Sequence, residues 1–150
     1  MKSVRNTVER LRSLSHQQRR LLAKALILVG AEVLAVRALS YPLLRHRATH
    51  RPEVMPVTDA DTQILLDDVV WAVGAAGRRI GGGQQCLVQC LAARRMLAEA
   101  GIASVLELGA ARDDKGAFIA HAWLRVEDRI VVGAVDVDYV AFDKREPGLP

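Results

Sequence analysis

A long apolar segment with helical spacing occupies residues 21–39. Ser15 and Gln18 precede it with the signature of a capping box, in which each side chain hydrogen-bonds the backbone N–H of the other residue. Apolar residues then recur every three or four positions, which predicts a helix with one buried face. Pro42 ends this helix. The residues predicted for its buried stripe are Leu22, Leu26, Val29, Val33 and Val36.

Three charged residues, Lys24, Glu32 and Arg37, interrupt this helix. A transmembrane helix needs about 20 consecutive apolar residues, so these charges disfavour a membrane span. We expect the helix to be buried or to bind a partner, with peripheral membrane contact as the alternative. The chain begins with charged, amphipathic residues rather than with a signal peptide, which predicts a cytoplasmic location.

Two further helices are predicted on either side of a run of glycines at residues 81–83. The first spans Gln63 to Ile80, and the second spans Cys86 to Ala100 and ends at Gly101. Their periodicity gives each helix a face that can be buried. The expected positions are Ile64, Leu65, Val69, Trp71, Val73 and Ala76 in the first helix, and Leu87, Cys90, Leu91, Arg94, Met96 and Leu97 in the second.

Beyond the third helix the apolar positions change to the alternating or continuous runs that are typical of strands. The three expected strands run from Ile102 to Ala110, from Ala117 to Val126 and from Arg129 to Val135. Short turns join them, so they form an antiparallel meander after the helices, which is an α+β fold. We expect residues 1–57 to be an N-terminal helical extension and linker, and residues 58–150 to be the core domain.

The composition is that of a small folded domain with an aliphatic core. The chain has 150 residues, of which 51% are hydrophobic and only 4% aromatic. Its net charge of +4 at pH 7 reflects basic residues concentrated early in the chain. No nucleic-acid motif and no interleaved aromatic residues accompany them, so we expect no nucleic-acid partner. His46 and His50 have no carboxylate or cysteine at ligand spacing, so no metal and no cofactor are expected.

The candidate chemistry lies in a cysteine at a predicted helix start and a histidine in a predicted strand. Cys86 would meet the unpaired N–H groups and the positive end of the helix dipole, which favour a thiolate. His121 stands in an otherwise apolar strand and could act as the base. From the residues alone, Cys86 could equally be a small core residue and His121 a hydrogen-bonded core histidine. Cys90, one turn inside the helix, fits the core interpretation better.

A cysteine acyl-transfer site also needs a group that orients the imidazole and donors that bind the oxyanion. Asp136 or Asp138, just beyond the third strand, could orient the ring from the neighbouring strand. The backbone N–H of Cys86 and the side-chain amide of Gln84 or Gln85 could bind the oxyanion. The sequence thus offers a possible triad of cysteine, histidine and aspartate.

Several of these residues together resemble the lasso-peptide leader peptidases, which are transglutaminase-like cysteine proteases of bacterial lasso-peptide gene clusters. The resemblance covers Val69 to Phe142. It rests on Cys86 and the helix that follows, on Gly101-Ile102, and on His121 in an Ala-His-Ala-Trp segment followed by a hairpin and Val-Val-Gly. It implies a transglutaminase/papain-like core in which Cys86, at a helix N-terminus, packs on the antiparallel meander.

The resemblance also implies a reaction and partners. Cys86 would attack the scissile carbonyl of a precursor peptide, His121 would shuttle the proton, and water would release the acyl-enzyme, so that the leader peptide is removed. The chain resembles the split form of these peptidases, which lacks a leader-recognition domain. A separate winged-helix-like recognition protein would therefore deliver the precursor, and an ATP-dependent lasso cyclase would close the ring.

One position departs from the pattern of the family. The acid that usually follows the histidine would fall at Gly133 or Ala134. Asp136 is the nearest substitute, or else the site operates as a Cys–His dyad with a carbonyl that orients the imidazole. Two other functions stay open: a non-catalytic peptide-binding or assembly module on the same fold, and a transglutaminase or amidase that acts on another acyl substrate.

Overall fold

The computed structural model describes residues 13–38, 60–80, 85–112, 116–134 and 140–141. Helices come first and strands follow, so the predicted α+β class is confirmed. The predicted linker, between Pro42 and residue 57, and the glycines at residues 81–83 lie outside the described residues. The elements are α1 His16–Ala38, α2 Ala60–Ile80, α3 Gln85–Glu99, β1 Val105–Arg112, β2 Phe118–Val126, β3 Arg129–Val132 and β4 Val140–Ala141.

The strands of the described residues form one antiparallel sheet in the order β3-β2-β1-β4. β1, β2 and β3 form the predicted meander. A two-residue turn joins β2 to β3, and its first residue, Glu127, has a φ of 51°. β4 pairs with β1 at Gly109 and Ala110, on the side away from β2. β4 was not predicted, because a strand of two residues is too short to show a periodicity.

α1 begins with the predicted capping box and packs on the other two helices. The Gln18 N–H donates to Ser15 Oγ at 3.1 Å, and the Ser15 N–H donates to Gln18 Oε1 at 3.2 Å. The predicted stripe of α1 is buried or half-buried against α2 and α3. The predicted domain boundary after residue 57 lies outside the described residues. None of the helices in the described residues has the length and apolar character to cross a membrane.

α3 is the central helix, and it contacts α1, α2 and the first three strands. Its C-terminus is fixed by a Schellman motif: the Ile102 N–H donates to the Leu97 carbonyl at 2.9 Å, and the Gly101 N–H donates to the Ala98 carbonyl at 3.1 Å. Gly101 has a φ of 75°, a conformation that favours glycine. The predicted stop at Gly101 is therefore confirmed, and its cause is the left-handed residue that this motif requires.

The predicted buried face of α2 is partly wrong. Ile64 and Trp71 are 59% and 37% exposed. They lie seven residues apart, so they share one side of the helix. The buried side is roughly opposite and includes Val69 and Val73, together with Ala76. Apolar residues on two sides of α2 made the direction of burial ambiguous in the sequence.

One face of β2 packs against the helices. Ala122, Leu124 and Val126 belong to the hydrophobic core, together with Leu97 of α3. Alternate residues of a strand point to opposite faces, so Trp123 and its alternate neighbours on β2 leave the strand on the other side. This packing places the N-terminal half of α3 beside the strand that carries His121.

Candidate active site

Cys86 lies in the first turn of α3, as predicted. It is the second residue of the helix, after the exposed Gln85. The Cys86 side chain is half-buried and packs against the hydrophobic core. The first four N–H groups of a helix have no partner within the helix, so this turn presents backbone donors near the thiol. Gln84, the other candidate for an amide donor, lies outside the described residues.

Cys90 is fully buried one turn further along α3. Its Sγ lies 3.5 Å from the carbonyl oxygen of Ala122 and 4.0 Å from that of Val132. Burial raises the pKa of the Cys90 thiol, and the neighbouring Cys86 raises it further. The thiolate is the nucleophilic form of cysteine, so a thiol that is held neutral in the core is a poor nucleophile. The interpretation of Cys90 as a core residue is confirmed.

His121 is half-buried on β2, and its ring is oriented by a backbone carbonyl. Nε2 of His121 lies 2.7 Å from the carbonyl oxygen of Gly133. A carbonyl can only accept a hydrogen bond, so we assign the proton of the neutral ring to Nε2. Nδ1 is then the atom of the ring that can accept a proton. This tautomer is the one that a general base working through Nδ1 requires.

Cys90 of α3 and His121 both approach backbone carbonyls at the end of β3. Cys90 Sγ approaches the Val132 carbonyl, and His121 Nε2 bonds the carbonyl of the next residue, Gly133. Cys90 also approaches the carbonyl of Ala122, which follows His121 directly. Residues four apart on a helix share a face, so Cys86 lies one turn from this point on the same face as Cys90. α3, which carries Cys86, therefore packs on β2, which carries His121.

Gly133 has a backbone conformation that residues with a side chain rarely adopt. Its φ is 82°, and a Cβ at this position would lie 2.5 Å from the Ala122 carbonyl oxygen and 3.1 Å from the Trp123 Cα. The first contact is closer than real Cβ atoms come to a neighbour, and the second is tight enough that Trp123 would have to shift slightly. A glycine is thus required for the chain to leave β3 in the direction that aims its carbonyl at His121. In the sequence, Gly133 stands out as a missing acid, but a glycine directly after Val-Val is also a signal for such a turn.

The candidate acids are not part of the described site. Asp136 and Asp138 lie outside the described residues, so an aspartate as third member stays a prediction. The Gly133 carbonyl provides the arrangement that the dyad alternative requires. His46 and His50 also lie outside these residues. Within the described ranges, no three His, Cys, Asp or Glu side chains come close enough together to bind a metal ion.

The comparison with protein families identifies the fold. A family model described as the transglutaminase-like superfamily matches residues 25–143. The chain belongs to the transglutaminase-like superfamily. Comparisons with curated proteins and with solved structures give no significant match. Members of this superfamily are generally cysteine hydrolases or transferases, so the transglutaminase-like part of the sequence resemblance is confirmed.

Iodoacetamide is expected to alkylate Cys86 of this transglutaminase-like protein and to leave Cys90 unmodified as long as the protein is folded. Cys86 is half-buried, whereas Cys90 is completely buried with a raised thiol pKa. Peptide mapping by mass spectrometry after alkylation measures both sites. Cys86→Ala should take up no label until it is denatured. Labelling of Cys90 in the folded protein would contradict its position in the core.

Proposed function

We propose that this transglutaminase-like protein is a cysteine peptidase that removes the leader peptide from a ribosomally made lasso-peptide precursor. The observation that carries the proposal is the hydrogen bond from His121 Nε2 to the Gly133 carbonyl. This bond supports Nδ1 as the proton acceptor, on a strand that α3 contacts through Cys90. The choice of a lasso-peptide precursor as substrate is supported by the sequence resemblance around Cys86 and His121.

The proposed reaction has an acylation step and a deacylation step. His121 Nδ1 accepts the proton of the Cys86 thiol, and the sulfur attacks the carbonyl carbon of the scissile peptide bond. When the tetrahedral intermediate collapses, the C–N bond breaks and His121 gives the proton to the leaving amine. A thioester on Cys86 remains. His121 then takes a proton from water, the resulting hydroxide attacks the thioester carbonyl, and the released thiolate recovers the proton.

The oxyanion of both tetrahedral intermediates needs hydrogen-bond donors that are already in place. In this proposal the backbone N–H of Cys86, in the first turn of α3, is one donor. The side-chain amide of the exposed Gln85 is the second. The helix dipole of α3 adds a favourable field, because its positive end lies at this turn.

We propose three partners for the reaction: the precursor peptide, a separate winged-helix-like leader-recognition protein, and an ATP-dependent lasso cyclase that receives the product. The outer side of α1 supports a protein partner, since Ile27 and Leu34 are 72% and 68% exposed. Exposed Arg20 and Arg37 flank them. Large exposed apolar side chains are typical of interaction surfaces, and the arginines suit an acidic partner. Peripheral contact of α1 with an anionic membrane surface is the alternative.

Two other functions remain as alternatives on the same site. A transglutaminase or amidase would form the same thioester on Cys86, because the superfamily contains transferases as well as hydrolases. The acceptor would then be an amine, or the substrate another acyl compound. A non-catalytic module would use the fold to hold a peptide or a partner. It would bind equally well after Cys86→Ala.

The experiment is intact-mass analysis of the cognate precursor after incubation with the protein and the recognition protein. We expect two fragments whose summed mass exceeds that of the precursor by one water molecule. Omission of the recognition protein should slow cleavage strongly. The same reaction with an added primary amine tests transfer: a leader peptide that carries the amine on its new C-terminal carbonyl, in place of water, would identify a transglutaminase. An intact precursor under all conditions would contradict the peptidase proposal.

A further inference from the structure

A polar cluster on β1 and β2 holds the tryptophan next to the candidate base. Glu107 of β1 is the cross-strand partner of Trp123 on β2. The Trp123 Nε1–H donates to Glu107 Oε2. The other oxygen of Glu107 accepts from Arg125 Nη2 at 2.7 Å, in a salt bridge that is partly buried. One carboxylate thus fixes the indole, and the guanidinium fixes the carboxylate.

The indole in turn lies beside the imidazole of His121. The two ring centroids are 6.3 Å apart, and the ring planes differ by 23°. Trp123 is only 8% exposed, so its indole is a packed surface rather than a mobile side chain. His121 is therefore restricted from two directions: the Gly133 carbonyl holds Nε2, and the indole of Trp123 lies nearly parallel to the ring.

We propose that Glu107 and Trp123 are positioning residues for His121, with Glu107 acting through the indole. The inference rests on the proposed function, because orientation of the ring matters for proton transfer with Cys86. A catalytic group must be held in the reactive geometry by neighbours that are themselves fixed. Here Arg125 and Glu107 are those neighbours. They reach the imidazole through Trp123, so loss of the indole bond should loosen the ring even where the fold survives.

The test compares Glu107→Ala with Glu107→Gln. The alanine removes the acceptor of the indole N–H, whereas the glutamine keeps an acceptor oxygen and loses the charge. Glu99→Ala is the matched control, since Glu99 also pairs with a cation, Lys24, but at the surface between α3 and α1. Two readouts are measured on the full chain: the 15N NMR signals of the His121 ring, assigned with His121→Gln, and the rate of Cys86 alkylation by iodoacetamide across pH.

We expect the wild type, Glu107→Gln and Glu99→Ala to show His121 protonated on Nε2. Glu107→Ala should show a mixture of both tautomers and roughly tenfold slower alkylation of Cys86 at neutral pH, because a small misplacement of a catalytic group is costly. An unchanged ring signal in folded Glu107→Ala would overturn the inference. If iodoacetamide alkylates Cys86 at the same rate in the wild type and in His121→Ala, then His121 does not activate Cys86, and the proposed function is contradicted. In that case the NMR signals of the His121 ring in Glu107→Ala still show whether Glu107 positions the ring.

Discussion

Replacement of His121 by alanine is expected to slow precursor cleavage by roughly 10²- to 10⁴-fold, the usual contribution of a positioned general base. The variant keeps Cys86 but has no acceptor for its proton. His121→Gln separates this chemistry from a structural role: a glutamine amide can still donate to the Gly133 carbonyl, yet it cannot accept and return a proton at the position of Nδ1. Cleavage should therefore be slowed to a similar extent in both variants, and the melting temperature should fall less in His121→Gln than in His121→Ala.

The control for the histidine variants is His16→Ala, because His16 is an exposed histidine at the start of α1. Its cleavage rate should equal that of the wild type. Rates are measured by intact mass, and stability is measured by thermal unfolding. Full activity in a folded His121→Gln protein would exclude His121 as the base.

Gly133→Ala is expected to lower the free energy of unfolding by roughly 2–4 kcal/mol, from the cost of a left-handed alanine together with a close contact in a packed region. The contact is with backbone: the new Cβ would lie 2.5 Å from the Ala122 carbonyl oxygen. The end of β3 must shift to relieve it. That shift moves the Gly133 carbonyl, which accepts the hydrogen bond from His121 Nε2. The cleavage rate should therefore fall by more than the decrease in the folded fraction.

Gly101→Ala is the matched control for this variant. Gly101 also has a positive φ, of 75°, but a Cβ there meets nothing within 4 Å, and the residue lies at the far end of α3 from Cys86. We expect a loss of stability of about 1–2 kcal/mol and unchanged cleavage by the folded fraction. Chemical denaturation gives the stabilities. Equal activities of folded Gly133→Ala and Gly101→Ala would show that the Gly133 carbonyl does not orient the base.

Local signals explain why much of the fold was predictable. The capping box at Ser15, the start of α3 next to Cys86 and the stop at Gly101 each depend on residues within one or two helical turns. Those interactions have fixed spacing, so they are visible in the sequence. The meander followed from alternation and short turns. The superfamily resemblance depended on the same residues, because a cysteine at a helix start and a histidine in the second strand are both local features.

Features that depend on tertiary packing were missed or only partly predicted. Ile64 and Trp71 were expected to be buried, but which side of α2 faces the core is decided by α1 and α3. The hydrogen bond between His121 and Gly133 forms because the turn after β3 brings a backbone carbonyl to the imidazole. Every residue has a backbone carbonyl, so the sequence does not show which one will accept this bond. Glu107 gave no signal either, because its role comes from the register of β1 with β2.

The most direct measurement of the central claim is intact-mass analysis of the precursor with wild type, Cys86→Ala and Cys90→Ala, each in the presence of the recognition protein. Cys90 is the internal control, since it is a cysteine on the same face of the same helix but is fully buried. We predict that Cys86→Ala leaves the precursor intact and that folded Cys90→Ala still cleaves it. Cleavage by Cys86→Ala, or its loss only in Cys90→Ala, would contradict the assignment of Cys86 as the nucleophile.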